Sequence, residues 1–267
     1  MKILLLAIVI LLLYYFYSRI KNMVGSIISL DSFTSNDVRL IHLIYFPWDP
    51  TTQKLKDDSN DFDRTAFQQL QESHPEYTVK MWTLDECKKF VRKFYPSYDS
   101  IIFNAPRPVM IVDILRLLIV YHYGGIYWQY GSKPLVGMDQ FLPNSPSKNV
   151  KLFTEVMLTP EFSNEMRKEP IRHGEPEERV RVCTQIFSAT ARHPYMFELF
   201  KTAVENMQAY PIQRDYDILY TTGNAMMSTV YDKVGKYRND IELVGVNQLS
   251  KMAFITSNGS WRIKKIS

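Results

Sequence analysis

The segment PVMIVDILRLLIVYHY, Pro108–Tyr123, limits what this chain can fold into more than any other. Proline suits the first turn of a helix, where its missing N–H is no loss, and Gly124 suits a C-terminal cap, so the segment reads as one strongly apolar helix. Gly124 and Gly125 then turn the chain into IYWQY, a short aromatic strand. A helix of this kind needs a substantial core around it. With 267 residues, 46% of them hydrophobic and 13% aromatic, the chain has enough material for one.

Other segments alternate in type around this helix. RLIHLIYF (39–46) and YTVKMWT (77–83) read as strands, with the polar PWDPTTQKLKDDSND loop and a helical FDRTAFQQLQESH (62–74) between them. LDECKKFVRKFY (84–95) puts Leu84, Cys87, Phe90, Val91 and Phe94 on one helical face. Further on, VKLFTEV (150–156), RVRVCTQIFSATA (179–191) and IELVGV (241–246) read as strands, and PYMFELFKTAVENM (194–207) and GNAMMSTVYDKV (223–234) as helices. Strands alternating with helices predict an α/β domain that binds ligands at the carboxyl ends of its strands.

Two flanking regions carry their own signals. MKILLLAIVILLLYYFYSRIK (1–21) is an apolar run between cations, with a tyrosine cluster suited to a membrane interface; an uncleaved anchor is the expectation, a cleaved signal peptide the rival. Residues 22–37, rich in Ser, Asn and Asp, read as a stem, leaving 38–267 as a single folded domain. The net charge of +4 is spread along the chain with no basic run interleaved with aromatics, which argues against a nucleic-acid partner. Cys87 and Cys183 have no zinc-type spacing and are open to one disulfide in a lumenal domain or to two thiols.

Chemistry concentrates near the double glycine. Asp113 and Arg116 lie one helical turn apart on a helix otherwise made of Val, Ile and Leu. They form either an ion pair at the edge of the core or a polar face on a pocket, Asp113 accepting from sugar hydroxyls and Arg116 donating to hydroxyl or phosphate oxygens. His42, within an apolar strand, reads as a packed histidine. The charged segment 168–181 reads as an exposed loop without chemistry.

NAPRPVMIVDILRLLIVYHYGGIYWQYGSKPL resembles the DXD-containing glycosyltransferases of GT-A fold, a Rossmann-like nucleotide-diphospho-sugar transferase architecture. It matches their pattern in register at Asp113, Arg116, Gly124, Gly125, Tyr127 and Leu135. RLIHLIYF is similar to the family's opening strand, TQIFSATARHPYMFELF to its N-x-x-x-A-x-x-x-HP segment, YTTGNAMMSTV to its T-G-P-x-x-x-T, and NGSW to its C-terminal G-S-W. The resemblance implies a nucleotide-sugar donor (a UDP- or GDP-hexose), a glycan or lipid acceptor, retention of anomeric configuration, and a type II lumenal placement in the ER or Golgi. It places Tyr45 near the base, Asp113 and Arg116 on the donor sugar, Gly124, Gly125 and Tyr127 at the floor of the site, and Trp261 over the donor.

One departure stands out. Where the family holds Mn²⁺ or Mg²⁺ with D-x-D, this chain has Gln129, Tyr130 and Gly131, and Ile255 stands where the family often has a histidine. A hard cation needs several oxygen ligands, and here Gln129 could offer one neutral amide oxygen and Gly131 no side-chain ligand, so no metal cofactor is expected. Lys133 is the candidate substitute cation; Asp139 and Glu155 have no spacing that recommends them. The sequence therefore predicts either a metal-independent hexosyltransferase or an inactive homologue acting as a glycan-binding or structural membrane protein.

Overall fold

The computed structural model describes residues 39–56, 64–145, 147–157, 180–256 and 262. All elements below fall within the unit Ser35–Ser267. The expected anchor 1–21, the stem 22–37, residues 168–179 and Trp261 lie outside the described residues. Among the described residues, no helix is long and apolar enough to cross a membrane.

The fold begins with β1 (Leu40–Ile44), buried throughout, then α1 (Thr65–Ser73) and β2 (Thr78–Trp82). Next comes α2 (Leu84–Phe94), started by a capping box in which Thr83 Oγ1 accepts from the Glu86 N–H at 3.3 Å and the Glu86 carboxylate from the Thr83 N–H at 2.9 Å. A short α3 (Asp99–Phe103) leads to α4 (Pro108–Tyr123), and β3 (Gly125–Trp128) follows it directly. After these come β4 (Lys133–Pro134), β5 (Val150–Met157), β6 (Val180–Val182) and β7 (Ile186–Ala189). The remainder is α5 (Pro194–Ala209), α6 (Asp215–Thr221), α7 (Asn224–Lys233), β8 (Ile241–Val244), α8 (Val246–Met252) and β9 (Ala253–Phe254).

Seven strands make one mixed sheet in the order β2-β1-β3-β7-β5-β6, with β8 also bonded to β5. β1 is parallel to β2 and β3, β7 runs antiparallel between β3 and β5, and β8 is parallel to β5. The carboxyl ends of β1, β3 and β5 therefore share one edge with the amino end of β7. That edge is where a sheet of this kind leaves a crevice.

Fourteen of the 16 residues of α4 are buried, Asp113 and Arg116 among them, so this helix has almost no solvent face and belongs to the core. Gly124 ends it at φ 73° and Gly125 continues at φ 87°. A Cβ at Gly124 would lie 2.7 Å from the Ala191 nitrogen, and one at Gly125 2.5 Å from the Leu40 carbonyl oxygen. The two glycines thus let β3 press against neighbouring backbone. His42 locks the junction from β1: Nε2 donates to the Gly124 carbonyl at 2.8 Å, and Nδ1 accepts from the Trp82 indole at 3.2 Å. Gly124 O can only accept and the indole can only donate, so the partners fix a neutral tautomer. Burial holds the imidazole at about 4, well below its ordinary range.

The α/β alternation expected from the sequence is present. The strand expected over 179–191 is two strands parted at 183–185, because the Thr184 and Gln185 carbonyls there accept from Arg116 and the Gln129 N–H. The strand expected over 241–246 stops at Val244, where Gly245 caps α8. Cys87 and Cys183 are buried thiols that do not bridge, and burial pushes the Cys183 thiol up to about 12.

Candidate functional site

A cavity of about 740 Å³ opens at the shared strand edge. Tyr45 from the end of β1, Asp113 and Arg116 from α4, Tyr127 from β3 and Gln129 just beyond it all line it. The structure thereby brings together five of the residues singled out in the sequence. Gly124 and Gly125 are not in the cavity wall; they set the position of β3 from behind it. Lys133 is exposed on β4, paired with Phe254 of β9, and also stands outside the wall.

Asp113 and Arg116 are 6% and 5% exposed and form an ion pair at 2.8 Å. Removing two charges from water is unfavourable unless their remaining hydrogen-bonding capacity is met, and here much of it is. Asp113 Oδ2 accepts from the Thr222 hydroxyl at 2.9 Å, and Arg116 Nη1 donates to the Thr184 carbonyl at 2.7 Å. The guanidinium also lies 4.9 Å over the Tyr127 ring, which backs it with a π face. Burial pushes the Asp113 carboxyl up, against the opposing pull of Arg116 and Thr222. The result is a fixed acceptor and a fixed cation lining the cavity, Asp113 able to accept from a ligand hydroxyl and Arg116 able only to donate.

Around this pair the wall is aromatic and amide-rich. Tyr45 packs on Tyr130 with ring centroids 4.6 Å apart, and Trp48 and Tyr216 complete a surface suited to a planar base. On the opposite strand, Glu155 of β5 accepts from the Asn224 amide at 2.6 Å. That leaves Asn224 Oδ1, a buried acceptor, without a hydrogen-bond partner among the described residues. A ligand hydroxyl is the kind of group that would satisfy it.

Thr184, Asn224, Arg181 and Arg262 are wall residues that the sequence did not single out, and Thr222, buried and bonded to Asp113, supports the wall without lining it. Thr222 and Asn224 had a signal, since they sit in the TTGN stretch that resembles the family's T-G-P segment. Arg181 corrects the loop expectation at its end: it is in β6, 5% exposed, and lines the cavity.

The divalent cation implied by the resemblance does not fit these side chains. Gln129 turns its amide nitrogen to the Thr256 carbonyl, and Gly131 offers only backbone at φ 81°. Ile255 is packed against the apolar core. Among the described residues no group of three or more His, Cys, Asp or Glu is placed to hold a metal.

Residues 60–148 match the family model described as the glycosyltransferase sugar-binding region containing a DXD motif, which bears out the resemblance read from the sequence. The match spans α1 to the loop before β5 and includes the Asp113–Arg116 pair and both glycines. Among curated proteins, the mannosyl phosphorylinositol ceramide synthase CSH1 of Saccharomyces cerevisiae is 22% identical over 188 residues, 70% of this chain and 43% of that one. The inositol phosphoceramide mannosyltransferase 2 of Schizosaccharomyces pombe is 23% identical over 164 residues, 60% of this chain and 39% of that one. The aligned part of this chain spans less than half the length of these two relatives. Among solved structures, the PaToxG glycosyltransferase aligns with a TM-score of 0.42 at 16% identity, covering 74% of this chain and 70% of that one.

Proposed function

We propose that residues 38–267 form a GT-A-type glycosyltransferase domain that binds a UDP- or GDP-hexose and transfers the sugar to a glycan or lipid acceptor. The observation that carries this reading is the buried Asp113–Arg116 pair, held by Thr222 and Thr184, facing a cavity at the carboxyl ends of parallel strands. A volume of about 740 Å³ is within the range typical of small-molecule sites. Asp113 accepts from donor-sugar hydroxyls, the Tyr45 and Tyr130 rings flank the base, and Asn224 Oδ1 accepts a further hydroxyl. Trp261 closes over the donor by analogy with the family. The names of the two relatives point to mannose as the sugar and an inositol phosphoceramide as the acceptor. The apolar run 1–21 and stem 22–37 support a type II lumenal protein of the early secretory pathway.

A second reading has its own support. The neutral side chains at 129 and 131 favour a domain that binds a sugar nucleotide or glycan without turning it over. Incubation with labelled GDP-mannose or UDP-glucose, with and without inositol phosphoceramide, separates the two. Transfer or donor hydrolysis that is lost in Asp113→Asn, with the thermal midpoint held, supports the transferase. Donor binding without either reaction supports the second reading, and absence of donor binding removes the transferase and leaves glycan binding alone.

A further inference from the structure

The cavity carries cations in its wall, on elements other than the turn at Gln129 and Gly131. Two guanidinium groups besides Arg116 line it: Arg181 from β6, and Arg262. Arg181 is 5% exposed, so its charge stands in a poorly solvated wall where attraction for an anion is weakly screened. Its guanidinium carbon lies 5.8 Å from the centre of the Tyr220 ring, and that of Arg262 lies 5.9 Å from the centre of the Tyr216 ring. Tyr216 and Tyr220 are four apart on α6, hence neighbours on one helix face with about 5–6 Å between their Cβ atoms. One helix therefore carries two planar cations along the cavity.

Two carboxylates stand in the same wall, Asp113 and Glu155. Arg116 is engaged by Asp113 and the Thr184 carbonyl, so that pair is close to neutral. Among the described residues lining the cavity, Glu155 is the other carboxylate, and it accepts from the Asn224 amide. The link a metal would make between the turn after β3 and the segment around Ile255 is also supplied, by neutral groups. Gln129 donates to the Thr256 carbonyl, Thr256 Oγ1 to the Gly131 carbonyl at 2.8 Å, and the Thr256 N–H to Ser132 Oγ at 3.2 Å.

We infer that this cavity binds the diphosphate of its nucleotide ligand without a divalent cation, Arg181 and Arg262 supplying the positive charge. The inference rests on the nucleotide-sugar reading above and departs from the metal that the resemblance implies. Guanidinium suits this role because it stays charged at any physiological pH and its planar fork bonds two phosphate oxygens at once.

The inference is tested by calorimetric titration of the chain with UDP and GDP, and with uridine and guanosine, in EDTA and again in Mn²⁺. One diphosphate is expected to bind in EDTA, with an affinity changed less than about threefold by Mn²⁺. Arg181→Gln and Arg262→Gln should each weaken diphosphate binding about tenfold or more, a larger loss than either causes in nucleoside binding, and Arg262→Lys should recover part of the loss. Nucleoside binding by the variants shows that the fold survives; if Arg181→Gln does not fold, Arg262→Gln carries the test. Diphosphate binding that requires Mn²⁺, or that is unaffected in the arginine variants, overturns the inference and leaves the glycosyltransferase reading standing. Failure of both diphosphates to bind in either condition overturns both.

Discussion

At the scale of single residues, three glycines in left-handed backbone do different work. Gly125 is confined on two counts, a φ of 87° and a virtual Cβ 2.5 Å from the Leu40 carbonyl oxygen, which is backbone of a central strand. Gly125→Ala is expected to destabilise by about 3 kcal/mol or more, seen as insoluble expression or a large drop in the urea midpoint. Gly131 shares the conformation, with a φ of 81°, but a Cβ there meets nothing closer than 3.9 Å. Gly131→Ala is therefore expected to lower stability by only about 1 kcal/mol. Equal losses at the two positions would contradict the packing role assigned to the Gly124–Gly125 turn. His42 belongs with this turn: a residue that reads as merely packed is the neutral connector between the Gly124 carbonyl and Trp82.

At the scale of elements, the site depends on α4 being held against the α6–α7 junction. Thr222 makes that link through Asp113 Oδ2. Thr222→Val keeps the shape and removes the donor, so a buried carboxylate oxygen loses a partner at a cost of about 1–3 kcal/mol. The Asp113 carboxyl should also rise further, since the hydroxyl pulls it down. The expected readout is a lower thermal midpoint together with donor binding weakened about tenfold in calorimetry; an unchanged affinity would place Asp113 outside the donor site.

The same elements show what is legible in the sequence. α4, its proline start and its glycine end follow from an apolar run with marked termini, and α2 from an apolar stripe behind Thr83 and Glu86. α6 and α8 have seven residues each, too short for a periodic pattern to stand out. The site divides the same way. Asp113, Arg116, Tyr127 and Gln129 come from one continuous stretch, whereas Thr184 and Arg181 reach the cavity only because β7 pairs antiparallel with β3 and β6 with β5. Pairings over such separations leave no local trace in a single sequence, which is why the sequence points to Lys133, near the motif but exposed on β4, and not to Arg181.

At the scale of the whole molecule, histidines make the fold sensitive to acid. Burial holds His42 and His122 at about 4 and lowers His193, while the unfolded chain titrates near 6.5. As pH falls from 6.5 towards 4 the unfolded chain takes up protons that the folded one refuses, so stability present above 6.5 is lost on acidification. His42 alone accounts for about 3 kcal/mol over that window. Urea midpoints should change little from pH 7.5 to about 6.5 and fall from there to pH 5, and His42→Gln, though less stable at pH 7.5, should show a shallower slope below 6.5. A midpoint flat over this range would contradict the buried neutral connector.

The central claim is that the crevice at the ends of β1, β3 and β5 is a nucleotide-sugar donor site. Equilibrium dialysis with labelled GDP-mannose and UDP-glucose tests it most directly. The expected result is saturable retention of one donor per chain, displaced by the matching nucleoside diphosphate and weakened at least tenfold by Asp113→Asn. Retention of neither donor by a chain that remains folded, or retention unaffected by Asp113→Asn, would contradict it.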